Sequence, residues 1–230
     1  DLCMKVVDAI KRELKRPDIT VKYMTVTSAS RFTALIDNQI DIECSNTTNT
    51  TERRTKVAFT IPTFIAAARL LVRKDGGIKS SNDLSGKTVV TTKGSSSETL
   101  FNDINNARTL NAKLILTKEY EESFTALEQG KADAFLMDDV LLYSLRAASK
   151  DPTKYEITRD ALTVEPLAIM MRKDDPAFKK LVDTEIARII LQGEITPIYR
   201  KRFESPIPPQ SLNLRVPMSY MLRDSFKTPS

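Results

Sequence analysis

From Leu2 the apolar residues Leu2, Val6, Ala9, Ile10 and Leu14 recur at steps of three and four, with Lys5, Asp8, Lys11, Arg12 and Lys15 between them. That spacing predicts an amphipathic helix, which Pro17 closes. Val21–Val26 reads as a strand. Thr27 and Ser28 stand where caps stand, ahead of a second helix that carries Phe32, Leu35 and Ile36, and Asp37-Asn38 ends it before a short strand at Ile40–Glu43. A second round begins after Lys74-Asp75-Gly76-Gly77. Thr88–Thr92 reads as a strand, Ser95 to Asn105 as a helix, Leu114–Leu116 as a strand and Ser123 to Gln129 as a helix. Ala134–Met137 follows as a buried strand, Val140 to Ala148 as a helix and Tyr155–Ile157 as a short strand. A helix from Pro176 through Leu191 and a proline-rich tail complete the chain. The order is α/β throughout and calls for mostly parallel sheets with helices on both faces; two such rounds, each of about a hundred residues or fewer, point to two lobes and not one barrel.

Composition narrows the chemistry. With 230 residues, 41% hydrophobic against 28% charged, the chain can bury a sizeable core. No apolar run approaches the ~18 residues of a membrane span. Histidine is absent, which excludes a Ser-His-Asp triad, a Cys-His dyad and any zinc site built on imidazole. Glycine numbers only six, and neither GxGxxG nor GxxxxGK[ST] occurs. The net charge of +5 would suit an acidic ligand or a nucleic acid, but the basic residues are scattered among acidic ones without a cluster of stacking aromatics, so nucleic-acid binding is not expected. The densest basic stretch, Lys5 to Lys22, reads as the outer side of one helix. Cys3 and Cys44 form no CxxC motif; two buried thiols and one bridge in an oxidising compartment both fit, and composition favours the thiols.

In open α/β sheets ligands gather at the carboxyl ends of strands, so the segments just after strands are the ones to question. The run Cys44-Ser45-Asn46-Thr47-Thr48-Asn49-Thr50-Thr51-Glu52-Arg53 reads as a loop. Asn49 and Glu52 have capping-box spacing, which puts Arg53 in the first turn of a helix. Hydroxyls, amides, free N–H groups and a guanidinium suit a carboxylate, and a polar loop that merely caps a helix suits the same residues. Gly94-Ser95-Ser96-Ser97-Glu98 repeats the arrangement, with one glycine that lets the backbone turn closely and Ser96 at a helix start. Asp138 emerges from the strand Ala134–Met137, where a carboxylate can receive an ammonium group, and Asp139 can cap the next helix. Ser28 and Arg31, three residues apart, share one face of a helix start.

With these phrases in view, the sequence resembles the periplasmic solute-binding proteins of polar amino-acid ABC importers, family 3. Supporting phrases are Phe59-Thr60-Ile61-Pro62, Asp83-Leu84-Ser85-Gly86-Lys87, Gly130-Lys131-Ala132-Asp133-Ala134, Met170-Met171-Arg172-Lys173-Asp174-Asp175-Pro176 and Pro206-Ile207-Pro208-Pro209. Thr27-Ser28 with Arg31, Glu43-Cys44 through Arg53, and Met137-Asp138-Asp139 align it most with the glutamate/aspartate-binding members. The resemblance implies the type II periplasmic-binding-protein fold: residues 1–69 and 171–230 in one lobe, 70–170 in the other, joined by hinge strands near Arg69–Val72 and Ala168–Met171 that close around the ligand. It implies that Arg53, Thr48 and Ser96 hold the α-carboxylate, with Asn46 lining the same loop, and that Asp138 takes the α-ammonium. Ser28 and Arg31 would bind the side-chain carboxylate. Tyr120, in Lys118-Glu119-Tyr120-Glu121, stands where such members carry a histidine, so a neutral phenol would replace an imidazole.

The same resemblance implies a monomer without metal or cofactor, exported to the periplasm and partnered by the membrane permease of an importer. It also implies a strand and a ligand loop with aromatics and another arginine ahead of Asp1, without which the first lobe would be short of a central strand and would bind weakly. Two other readings use the same scaffold. One is a dehydratase-like enzyme acting on a cyclic carboxylate, with Glu165 and Asp138 as its acid–base candidates; the other is the ligand-sensing domain of a receptor.

Overall fold

A computed structural model describes residues 1–207 and 211–229; Pro208-Pro209 of the proline-rich phrase lie outside the described residues. In chain order the elements are α1 (Leu2–Glu13), α2 (Arg31–Ile36), β1 (Ile42–Thr48), β2 (Ala58–Phe59), β3 (Phe64–Arg73), β4 (Thr88–Thr92), α3 (Ser96–Ala107), β5 (Lys113–Thr117), α4 (Tyr120–Glu128), β6 (Ala134–Asp138), α5 (Asp139–Ala148), β7 (Tyr155–Ile157), β8 (Thr163–Met171), α6 (Pro176–Leu191), α7 (Ile195–Tyr199) and α8 (Tyr220–Ser225). They divide into two compact units. Unit 1 comprises Asp1–Val26, Ser30–Ile65 and the chain from Pro166 onward; unit 2 comprises Thr27–Ala29 and Ala66–Glu165. Among the described residues no helix is long and apolar enough to cross a membrane.

In unit 2 the strands are apolar at consecutive positions because both faces of the sheet are covered. Leu70 and Val72 of β3, Val89 of β4, and Ala134 and Leu136 of β6 pack with Phe101 of α3. Their neighbours Leu71, Val90, Phe135 and Met137 pack on the opposite face with Phe124 and Leu127 of α4 and Leu142 of α5. The strict alternation is the two-residue period of a pleated strand. β4 runs parallel to both β5 and β6, whereas β3 is antiparallel to β6 and β7. Among the described residues of unit 2, parallel pairing involves β6, β4 and β5 alone, narrower than the αβ order suggests, and it brings the carboxyl ends of these three strands to one edge.

Unit 1 is organised around β8, which is flanked antiparallel by β1 and β2. Ile169 and Met171 of β8 face Val6 of α1 and Val182, Ile186 and Ile189 of α6. Ala168 and Met170 face Leu35 of α2, Val57 and Phe59. Part of the basic face of α1 turns out to be paired: Lys5 meets Glu194 at 2.6 Å and Arg12 meets Glu185 at 3.2 Å. Arg188 bridges the two carboxylates, and its hydrogen bond and that of Lys5 hold the Glu194 carboxyl down to about 2.

Several local expectations are corrected. Val21–Val26 is not a strand: the segment has no ladder partner among the described residues, and its side chains lie outward, with Tyr23 84% exposed. Helix α2 starts after Ser30, two to three residues beyond the expected caps Ser28 and Thr27, and Ser30 makes no side-chain cap bond. The short strand expected at Ile40–Glu43 continues to Thr48 as β1, so the polar run begins inside a strand. The cysteines are bonded, not free: Cys3 and Cys44 form a disulfide with their Cα atoms 6.4 Å apart. Alternation along β1 explains it, since Ile42 packs with the α1 and α6 cluster and Cys44, two residues on, returns toward the same helix.

Candidate functional site

In unit 1 the donors are assembled by an irregularity in β1. Glu43 opposes Met170 and Thr47 opposes Ala168, so four steps along β1 span two along β8. The excess forms a bulge at Cys44-Ser45-Asn46, a device that bends a strand and re-aims its side chains. Asn46 sits on it and accepts a 2.9 Å hydrogen bond from the Ser45 hydroxyl. Thr48 is buried at the strand end, and its carbonyl accepts from Arg53 Nη1 at 3.0 Å. The expected Asn49–Glu52 capping box does not form. Thr50 serves instead, its hydroxyl accepting the Arg53 N–H at 3.2 Å, while the Asn49 carboxamide accepts from Arg54. Arg53 therefore opens a short 3-10 turn, Arg53–Thr55.

Arg31 begins α2 and is 4% exposed, an uncommon degree of burial for a guanidinium. It lies 5.6 Å from the centre of the Phe32 ring, and Arg53 lies 5.3 Å from the same ring. Two cations thus share one aromatic platform, each held by the negative charge of the π face. Sequence reasoning missed what accompanies them: Glu43, 2% exposed, with Oε1 3.9 Å from Arg31 Nη1 and both oxygens 3.0 Å from the Thr47 hydroxyl. The available signal was a charged residue at a position of β1 flanked by Ile42 and Cys44.

In unit 2 the candidate residues cluster at the carboxyl edge of the parallel strands. Gly94 follows β4 with φ of +79°, and a Cβ built there would come within 2.9 Å of the Ala29 backbone, so glycine is required on both counts. The Gly94 N–H donates to Glu98 at 2.7 Å, which ties the turn to the start of α3, where Ser96 is the first residue. Gly94→Ala is expected to destabilise the protein by about 2 kcal/mol and to weaken the binding of any ligand held by residues 27–29, which the added methyl would displace. Thermal melts and ligand titration of the variant check this.

Ser28 and Arg31 do not share a helix face. Ser28 precedes α2 and belongs to unit 2, where its hydroxyl lies 3.0 Å from the Tyr120 hydroxyl. Tyr120 opens α4, whose start carries a Glu119–Glu122 capping box. Asp138 ends β6 at 1% exposure and takes the cap position of α5 without a side-chain cap bond. Asp139, expected as that cap, is the first helical residue, and its carboxylate goes elsewhere: it accepts from the Ala67 N–H at 3.2 Å and lies 3.4 Å from Arg69. The structure therefore groups Arg31, Asn46, Thr48 and Arg53 in unit 1, and Ser28, Ser96, Tyr120 and Asp138 in unit 2.

This mixed α/β arrangement, with a bulged strand, two guanidinium groups and a strand-end carboxylate, has the fold of type II periplasmic binding proteins. It superposes with a TM-score of 0.77 on an ancestral arginine-binding protein bound to arginine, at 25% identity over 88% of this chain and 87% of that one. The family model for bacterial extracellular solute-binding proteins, family 3, matches residues 3–205, and the chain belongs to that family. It is 42% identical over its whole length to the L-glutamate/L-aspartate-binding protein of Pseudomonas aeruginosa, and 40% identical to the glutamate/aspartate import solute-binding protein of Escherichia coli K12. In each case the match covers 76% of the relative. Both are named as binding proteins, which favours that class over the dehydratase reading of Glu165 and Asp138.

Proposed function

We propose that this protein captures L-glutamate or L-aspartate outside the cytoplasm, as a monomer without metal or cofactor, and delivers it to the membrane permease of an ABC importer. The observation that carries the reading is the pair of guanidinium groups on Phe32, one of them almost wholly buried. An acidic amino acid has two carboxylates and one ammonium; two arginines and one buried aspartate are its complement in number and sign. The names of the full-length relatives support the same ligand class.

Arg53, Thr48 and Ser96 are the proposed α-carboxylate donors, with Asn46 beside them on the bulge, and Asp138 is the proposed acceptor for the α-ammonium. Arg31, Ser28 and Tyr120 are the proposed donors to the side-chain carboxylate; the Ser28–Tyr120 hydroxyl contact supports a neutral phenol as a member of that group. Isothermal titration with L-glutamate, L-aspartate, L-glutamine and L-arginine tests the proposal. The two acidic ligands are expected to bind at least about tenfold more tightly than the others; tighter binding of glutamine or arginine overturns it.

A further inference from the structure

Arg31 is an incompletely satisfied cation. Its Nε is buried with no hydrogen-bond partner among the described residues, and its approach to Glu43, at 3.9 Å, is an ion pair too long for a hydrogen bond. Donor capacity therefore remains for a second carboxylate. Glu43 is fixed from the other side by the Thr47 hydroxyl, which reaches both of its oxygens. The charged groups facing it are Arg31 of α2 and Arg53 of the turn after β1; its own strand adds the hydroxyls of Thr47 and Ser45, and β8 presents the neutral Met170.

We propose that Glu43 is a built-in competitor of the ligand, an internal carboxylate that orients Arg31 and offsets one of the two positive charges on Phe32. Glu43 acts through Arg31, as a positioning and specificity-determining residue, and sets how strongly the protein prefers an acidic amino acid over its neutral amide. With Glu43 ionised the Arg31, Arg53 and Glu43 cluster carries one net positive charge; with it neutral the cluster carries two, and an anionic ligand gains relative to a neutral one of the same shape. Burial raises the Glu43 carboxyl above its usual range, against the pull of Arg31, Thr47 and Arg53. Acidification therefore protonates Glu43 ahead of an exposed carboxylate and moves the cluster in the same direction as removing the charge by mutation. This inference rests on the reading of Arg31 as a donor to the ligand side chain.

The test compares L-glutamate with L-glutamine, by titration and competition, on the full chain. Glu43→Gln keeps the shape and the bond to Thr47 while removing the charge, and is expected to raise the glutamate-over-glutamine preference about tenfold. In the wild-type protein the same preference is expected to rise as pH falls from about 7.5 to about 5, where the ligand side chain stays mostly ionised, and in Glu43→Gln it is expected to stay flat. An unchanged preference in a folded Glu43→Gln, or a flat wild-type profile, overturns the proposal; the wild-type profile decides alone if the variant does not fold. Arg31→Met separates the two readings. Loss of the preference there, with no change in Glu43→Gln, overturns the role of Glu43 and leaves the site reading standing. An intact preference in Arg31→Met overturns the site reading and the role of Glu43 with it.

Discussion

Arg53→Met is expected to abolish binding of every amino acid, whereas Arg31→Met is expected to cost chiefly the acidic ones. Removing a guanidinium from a desolvated carboxylate pair costs about 2 to 5 kcal/mol, a loss of about 30-fold to about 4,000-fold in affinity. The asymmetry follows from the proposed roles, since all amino acids share the α-carboxylate and only the acidic ones carry the second. The Arg53 guanidinium donates to the Thr48 carbonyl, a bond that Arg53→Met removes, whereas the backbone N–H bond to Thr50 survives the substitution. Arg31 differs, because its removal takes away the ion pair of the buried Glu43 carboxylate and leaves it only the electrostatic pull of Arg53 among the cations. Breaking a buried pair on one side destabilises by about 3 to 5 kcal/mol, so Arg31→Met is best measured beside the double variant Arg31→Met/Glu43→Gln. The double variant should recover much of the lost stability and still lack the acidic preference. Titration of each variant with glutamate and glutamine, together with its thermal melt, checks the set; equal losses for both ligands in Arg31→Met would contradict the roles.

The second large effect concerns the disulfide. Cys3 and Cys44 are 41 residues apart, and closing a loop of that size in the unfolded chain is worth about 4 kcal/mol in the chain-entropy account. Cys3→Ser/Cys44→Ser is expected to lower the melting temperature by about 10 °C. Strong reductant should do the same to the wild-type protein and leave the variant unaffected. The bond ties α1 to the bulge of β1, so affinity should fall with stability, because Asn46 and Thr48 lose the constraint that fixes the strand on which they lie. Matching melts for oxidised and reduced protein would show that the helix packing of Val6 and Ile10 holds α1 without it.

Much of this molecule was legible in one dimension. Helix α6 and the strands of unit 2 follow from periodicity, because a residue buried on one face of a helix or on both faces of a strand must be apolar wherever the period brings it inward. The candidate residues were legible for a related reason: Gly94, Ser96 and Asp138 sit at strand ends, where side chains leave the sheet. Val21–Val26 failed because alternation records a preference for a pleated surface, while a strand exists only when another backbone supplies its ladder. The capping positions at Ser28, Glu52 and Asp139 failed because the same side chains found other partners, Tyr120 and Arg69 through the tertiary fold and Lys56 four residues along the chain.

The α/β class, the absence of imidazole chemistry and the resemblance to acidic amino-acid binders were all determined by the sequence. Only the tertiary structure decided that Cys3 and Cys44 are joined, that Ser28 and Arg31 belong to different units, and that Glu43 lies under Arg31. Each of these depends on which residues of distant segments meet across a bulge or a turn. Sequence spacing records the direction a side chain takes from its own backbone, and the packed chain supplies the group it meets there.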